Sequence, residues 1–250
     1  MKDKTIPRRS SKALTLVTAV LLVGGLAGCA AAESAGTAIA EVLRSSAPSV
    51  DGKNPAAQPA MNPDDIAAAL ARLASLPVKG RAPKTGYSRD RFGPAWADTD
   101  HNGCDTRNDI LARDLAGETF KPGTRDCVVA TGTLADKYTG KTIRFVRGAD
   151  TSSAVQIDHI VPLSLAWQTG AQQIDDGQRQ EFANDPLNLM AADGPSNMAK
   201  SDKDAATWLP PNKAFRCEYT ARITAVKAKY KLWVTQPEHD AIQGILAACA

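Results

Sequence analysis

Four cysteines, Cys104, Cys127, Cys217 and Cys249, follow an N-terminal segment that reads as an export signal. That combination constrains the fold more than any other feature. Lys2, Lys4, Arg8, Arg9 and Lys12 crowd the first twelve residues against a single Asp3, and Ala13 to Leu26 then form an uncharged, mostly apolar run of 14. A membrane-spanning helix needs about 20 apolar residues. A basic stretch ahead of a shorter apolar one is the pattern of a secretory signal. In an oxidising compartment an even set of cysteines predicts disulfides. Four cysteines permit three pairings, and the sequence alone does not select among them. The local pairs Cys104–Cys127 and Cys217–Cys249 are favoured because each closes a short loop. A zinc site is the rival, but no two cysteines show the two-to-four-residue spacing typical of one.

The apolar run ends in Leu26-Ala27-Gly28-Cys29, which looks like a bacterial lipobox, in which the cysteine carries a diacylglycerol. Residues 1–28 are therefore expected to be a lipoprotein signal peptide, with Cys29 lipidated. The chain would be tethered to the outer face of a bacterial cell membrane, or secreted if cleavage falls nearby without lipidation. Two acyl chains anchor stably where one is marginal. Residues 29–61 are rich in Ala, Ser, Pro and Gly, too poor in large apolar side chains to order themselves, and read as a flexible tether.

Charge must be counted on the exported part. The whole chain is +3, but residues 1–28 hold five basic side chains and one acid, leaving 25 basic against 26 acidic residues. Bulk charge is therefore no argument for nucleic acid. Distribution is a better one, since Asn197 to Lys231 carries eight basic residues against three acids.

Residues 62–250 read as one α+β domain. Asn62-Pro63-Asp64-Asp65 is a helix start, with Ile66, Leu70, Leu73 and Leu76 at helical spacing and Pro77 as the stop. From there to Asn102 the chain is loop-like. A short helix is expected at Thr106–Leu115, then a β-hairpin from Cys127–Leu134 and Thr142–Arg147. Val155–Ile157 is a strand running into Asp158-His159. Asp175–Ala183 reads as a helix, Asn188–Ala191 as a strand, and Pro195–Thr207, Asn212–Leu232 and Pro237–Ala248 as helices.

Three pieces carry the chemistry: Ile157-Asp158-His159-Ile160-Val161-Pro162, Asn184-Asp185-Pro186-Leu187-Asn188-Leu189, and Ser196-Asn197-Met198-Ala199-Lys200-Ser201-Asp202. Asp-His at a strand end, an asparagine in a following turn, and Asn-x-x-Lys on a helix together resemble the ββα-metal (HNH, His-Me finger) nuclease motif, here spanning about residues 155–207. The closer resemblance is to exported HNH proteins related to the C-terminal domain of GmrSD restriction endonucleases. The first and third pieces also look like the HNH domain of CRISPR effector nucleases. Asn102 to Asp109, Phe182 to Leu189 and Trp208 to Asn212 extend the likeness over most of residues 85–250.

The resemblance implies a metal-dependent endonuclease that hydrolyses phosphodiester bonds of DNA, with RNA as the alternative, outside the cytoplasm. His159 would be the general base, because imidazole can take a proton from water near neutral pH. Asp158 would be a metal ligand, a hard oxygen donor suited to Mg²⁺ or Mn²⁺. Asn197 maps onto the second ligand and Asn188 onto the residue that holds the loop orienting the histidine. Lys200 and Arg107 are candidates for phosphate contact. The name-giving pattern has a histidine where this chain has Asn197. Adjacent strand residues point to opposite faces, so Asp158 and His159 can share a site only at a strand end or turn.

Other features weigh less. His101 and His239 fall in no motif. Asp98, Asp100, Asn102 and Asp109 match part of a calcium-loop spacing, but Asp105 stands where such a loop is apolar. They support an alternative reading: an inactive surface lipoprotein that binds calcium or a partner through a nuclease-like domain. Trp96, Trp167, Trp208 and Trp233 are scattered, with no interleaved stacking platform. Contacts to phosphate are expected to dominate, with low sequence preference. No protein partner is predicted.

Overall fold

The computed structural model describes residues 61–250. The signal segment, Cys29 and nearly all of the tether lie outside the described residues. Helix α1 (Pro63–Ser75) opens as expected, with the Asn62 side chain accepting the Asp65 backbone N–H and Pro63 in the first turn. Its Ile66, Ala69 and Leu73 are buried against α6 (Arg216–Lys229) and α7 (Gln236–Ala247). Helix α2 (Thr106–Asp114) is capped by Asp105 and leads directly into β1 (Leu115–Phe120).

Strands β1, β2 (Val129–Ala135) and β3 (Thr142–Val146) form an antiparallel sheet in that order. The β2–β3 hairpin was expected. Strand β1 was not, because Ala116, Gly117 and Glu118 give its middle no alternation of apolar and polar residues. Gly132 of β2 is required by this third strand: a Cβ there would lie 2.9 Å from that of Leu115.

A second antiparallel pair joins β4 (Val155–His159) to β5 (Leu189–Asp193), in register from Val155 opposite Asp193 to His159 opposite Leu189. Helix α3 (Leu163–Gln168) and helix α4 (Asp176–Asn184) fill the connection. Helix α3 escaped the sequence reading because it is buried all round, and periodicity marks only amphipathic helices. Asp193 then caps α5 (Gly194–Lys200) by accepting the Ser196 N–H. A Cβ on Gly194 would sit 2.1 Å from the Ser153 carbonyl oxygen, so only glycine lets α5 start against the turn preceding β4.

Helix α5 is shorter than the expected Pro195–Thr207. Ser201 adopts φ 52°, and its N–H closes on the Asn197 carbonyl, which ends the helix at Lys200. The basic surplus after Asn197 is also less available than its count implies. Lys200 and Lys227 are fully buried ion-pair partners, Arg222 donates to the carbonyls of Leu187 and Leu189, and Lys229 pairs with Asp185.

Among the described residues two apolar cores result. The larger joins α1, α3, α4, α6 and α7 and includes an aromatic cluster of Tyr138, Trp208, Phe215 and Tyr219. The smaller lies between α2, the three-stranded sheet and the β4–β5 pair. The disulfides are Cys104–Cys127, tying the start of α2 to the approach of β2, and Cys217–Cys249, tying α6 to the end of α7. The architecture is α+β, built on small antiparallel sheets.

Candidate active site

The chain turns sharply after β4, and Asn188 holds the turn. Its backbone carbonyl accepts the Ile160 N–H at 2.7 Å, its side-chain oxygen accepts the Val161 N–H at 2.8 Å, and its amide donates to the carbonyls of Val161 and Phe182. The side chain is fully buried. Replacing it with alanine would orphan several main-chain groups at once, each costing roughly 1–3 kcal/mol. Asn188→Ala is therefore expected to lower thermal stability markedly, read as a fall in melting temperature.

This turn lets Asp158 and His159 line one cleft although they are neighbours on a strand. The cleft, about 480 Å³, also takes in Asn197, Ser164, Lys84 and Arg89. Asp158 is buried, and its carboxylate is shared by two donors. Tyr138, from the β2–β3 turn, donates to Oδ2, and Lys200 lies within 3.0 Å of both oxygens. The Lys200 ammonium also donates to the His159 carbonyl at 2.7 Å. Burial pulls the lysine below its usual range and Asp158 opposes that shift. Burial raises Tyr138 well above its usual range, so it stays a protonated donor.

His159 is 8% exposed and stacks against Trp96 at 15° between ring planes. Its Nε2 lies 2.9 Å from the Ala183 carbonyl. A carbonyl only accepts, so Nε2 carries the proton and Nδ1 keeps its lone pair. Burial lowers the ring from 6.5 to about 4, against smaller opposing effects of Ala183 and Asp158. An unfolded His159 protonates near 6.5 while the folded one stays neutral until about 4. Stability contributed by this residue is complete above about pH 6.5 and falls as pH drops towards 4, by up to roughly 3 kcal/mol. Urea unfolding in a chelating buffer should show that slope, and His159→Phe should flatten it.

The remaining sequence candidates fall in different places. Asn197, on α5, is half-buried and donates to Gln156 Oε1 at 2.9 Å, leaving its own oxygen towards no protein donor. Lys200 points inward to Asp158 rather than into open cleft. Arg107, on α2, is not among the cleft-lining residues. Lys84 and Arg89 are, and sequence reasoning missed both. They sit in the punctuated stretch before Asn102, where no periodicity signals them. Tyr138 was missed because its partner Asp158 lies 20 positions away.

The acidic turn at Asp98–Asn102 is closed by its own groups. Asp98 accepts the N–H groups of Asn102 and Gly103, and the Asn102 amide donates to Asp100 and Asp109. Among the described residues, no three His, Cys, Asp or Glu side chains are grouped to hold a metal.

An α+β chain with a buried Asp-His pair at a strand end, backed by a second strand and a short helix, defines the class. The chain matches the model of the GmrSD restriction endonuclease C-terminal domain over residues 105–245, and it belongs to that family. It is 37% identical over 179 residues to a protein of Arthroderma benhamiae named "Uncharacterized secreted protein", covering 71% of this chain and 82% of the relative. No solved structure matches it. Among the described residues, no helix is long and apolar enough to cross a membrane.

Proposed function

We propose that this protein is an HNH endonuclease, exported from the cell, that hydrolyses phosphodiester bonds of DNA with the help of Mg²⁺ or Mn²⁺. The observation that carries the reading is the state of His159. Its Nε2 is anchored on the Ala183 carbonyl, which leaves the Nδ1 lone pair free, in a cleft with Asp158 and Asn197. The succession of two antiparallel strands and a short helix, β4, β5 and α5, supports this reading.

The donor set fits a hard divalent cation. Asp158 supplies one carboxylate and Asn197 one amide oxygen, and the open cleft leaves room for water and phosphate oxygens, as Mg²⁺ prefers. A carboxylate has about four acceptor directions. Tyr138 and Lys200 leave one of them on Oδ1. When bound, the cation would offset charge on the phosphate and its leaving oxygen. The protein's own part is positional. Nδ1 of His159 takes the proton from an attacking water, and Ala183 keeps the ring in the required tautomer. Asn188 holds the turn that carries the ring. Lys200 fixes Asp158 from behind. Arg89 supplies positive charge for the phosphate at the cleft rim, where Lys84 is paired with Asp202. Cys29 lipidation would keep the enzyme at the outer membrane face, away from the chromosome.

The test is nicking of supercoiled plasmid by the purified chain. Cleavage that requires Mg²⁺ or Mn²⁺ and stops in chelator is expected. Absence of cleavage with either ion would refute the reading. Thermal stabilisation by Ca²⁺ that Asp98→Ala removes would then favour the binding-protein alternative.

A further inference from the structure

His159 forms a wall between two hollows. Behind the phosphate cleft lies a second cavity of about 210 Å³, lined by Phe92, Pro94, Trp96 and Asn184, and sharing Arg89 and His159 with the cleft. Pockets for drug-sized molecules run to about 300–1,000 Å³, so this one suits a single ring system. Phe92, Pro94, Trp96 and other apolar groups make up most of its walls, and the Asp90 carboxylate beside Arg89 disfavours a second phosphate.

Two details mark it as a built site. Trp96 is held at φ 59°, a left-handed conformation that is unfavourable for a bulky residue. Its carbonyl is tied by the Thr106 N–H, which fixes the indole at the cavity beside His159. The second detail is Asn184, which is 1% exposed. Its Nδ2 donates to the Gln180 carbonyl at 2.9 Å, which sets the amide's orientation, and its Oδ1 has no donor at all. Buried acceptors are rarely left so.

We infer that this cavity receives one nucleobase of the substrate, stacked on Trp96 and donating an N–H to Asn184 Oδ1, next to the phosphate held in the cleft. The inference rests on the nuclease reading and goes beyond it. Arg89 spans both hollows and so can hold the phosphate of the same nucleotide. Most contacts remain sequence-blind, but one position beside the cut acquires a base preference. Stacking of a base on an aromatic side chain strengthens binding by about tenfold or more.

The experiment is calorimetric titration of the purified chain with the four nucleoside 5′-monophosphates and with ribose 5-phosphate. At least one nucleotide should bind about tenfold more tightly than the sugar phosphate. Trp96→Leu should remove that gain, and Trp96→Phe, which keeps an aromatic face, should retain most of it. Asn184→Leu should level the differences among the four bases. Equal binding of all four nucleotides and ribose 5-phosphate overturns the inference, as does a gain that survives in Trp96→Leu. The nuclease reading fails separately. A chain that nicks plasmid without any base gain loses the pocket and keeps the nuclease. A chain with the base gain and no nicking under either metal keeps the pocket and loses the nuclease.

Discussion

His159→Ala is expected to reduce phosphodiester cleavage by about 10²–10⁴-fold, the usual contribution of a positioned general base. The loss follows from what the ring is prepared to do. Burial holds it neutral, Ala183 occupies Nε2, and only Nδ1 remains to accept a proton. No other histidine can substitute, because the cleft contains no second imidazole. The variant should still fold. It leaves the Ala183 carbonyl without its donor, a cost of roughly 1–3 kcal/mol, and Trp96 remains packed against the smaller core. Plasmid nicking and circular dichroism, measured side by side, separate the two effects. Added imidazole should restore part of the lost rate, as a mobile base entering the vacated volume. Cleavage within a few-fold of the unmodified protein would remove His159 from the mechanism.

Much of this candidate site is legible in the sequence. Asp-His at the end of a short apolar strand, a downstream asparagine, and Asn-x-x-Lys after a helix start are local patterns, and local patterns survive in sequence. The hairpin and the first helix were legible for the same reason, since Asn62-Pro63 announces a helix start. What escaped was long-range. Tyr138 reaches Asp158 across 20 positions, and Arg89 and Trp96 arrive from a stretch whose glycines and prolines conceal any order. Lys200 shows a subtler limit. Its spacing from Asn197 correctly suggested a shared helix, but spacing carries no burial. The ammonium turned inward to meet Asp158 and the His159 carbonyl. The charge surplus after Asn197 misled in the same way, because a count of lysines cannot distinguish a solvated one from one paired in the core.

Lys227 is the clearest such case, and it carries a large expected effect on stability. Lys227→Met should destabilise the protein by about 3–5 kcal/mol, the typical result of removing one partner of a buried ion pair. Lys227 and Glu238 are both fully buried, 2.7 Å apart, and the ammonium also donates to the Trp233 carbonyl at 2.9 Å. Glu238 already has one oxygen, Oε1, without a partner. Without the lysine its charge would be buried and uncompensated. The position amplifies the damage. Helices α6 and α7 form a hairpin whose open end is closed by Cys217–Cys249 and whose turn end is closed by this pair. For a domain of this size the melting temperature should fall by about 10 °C or more. The double variant Lys227→Met/Glu238→Leu should recover much of the loss, because an apolar pair of similar volume often matches a buried salt bridge. Thermal unfolding of both single variants and the double one measures the coupling directly. Additive losses would show that the two residues act separately, and that packing alone holds the hairpin turn.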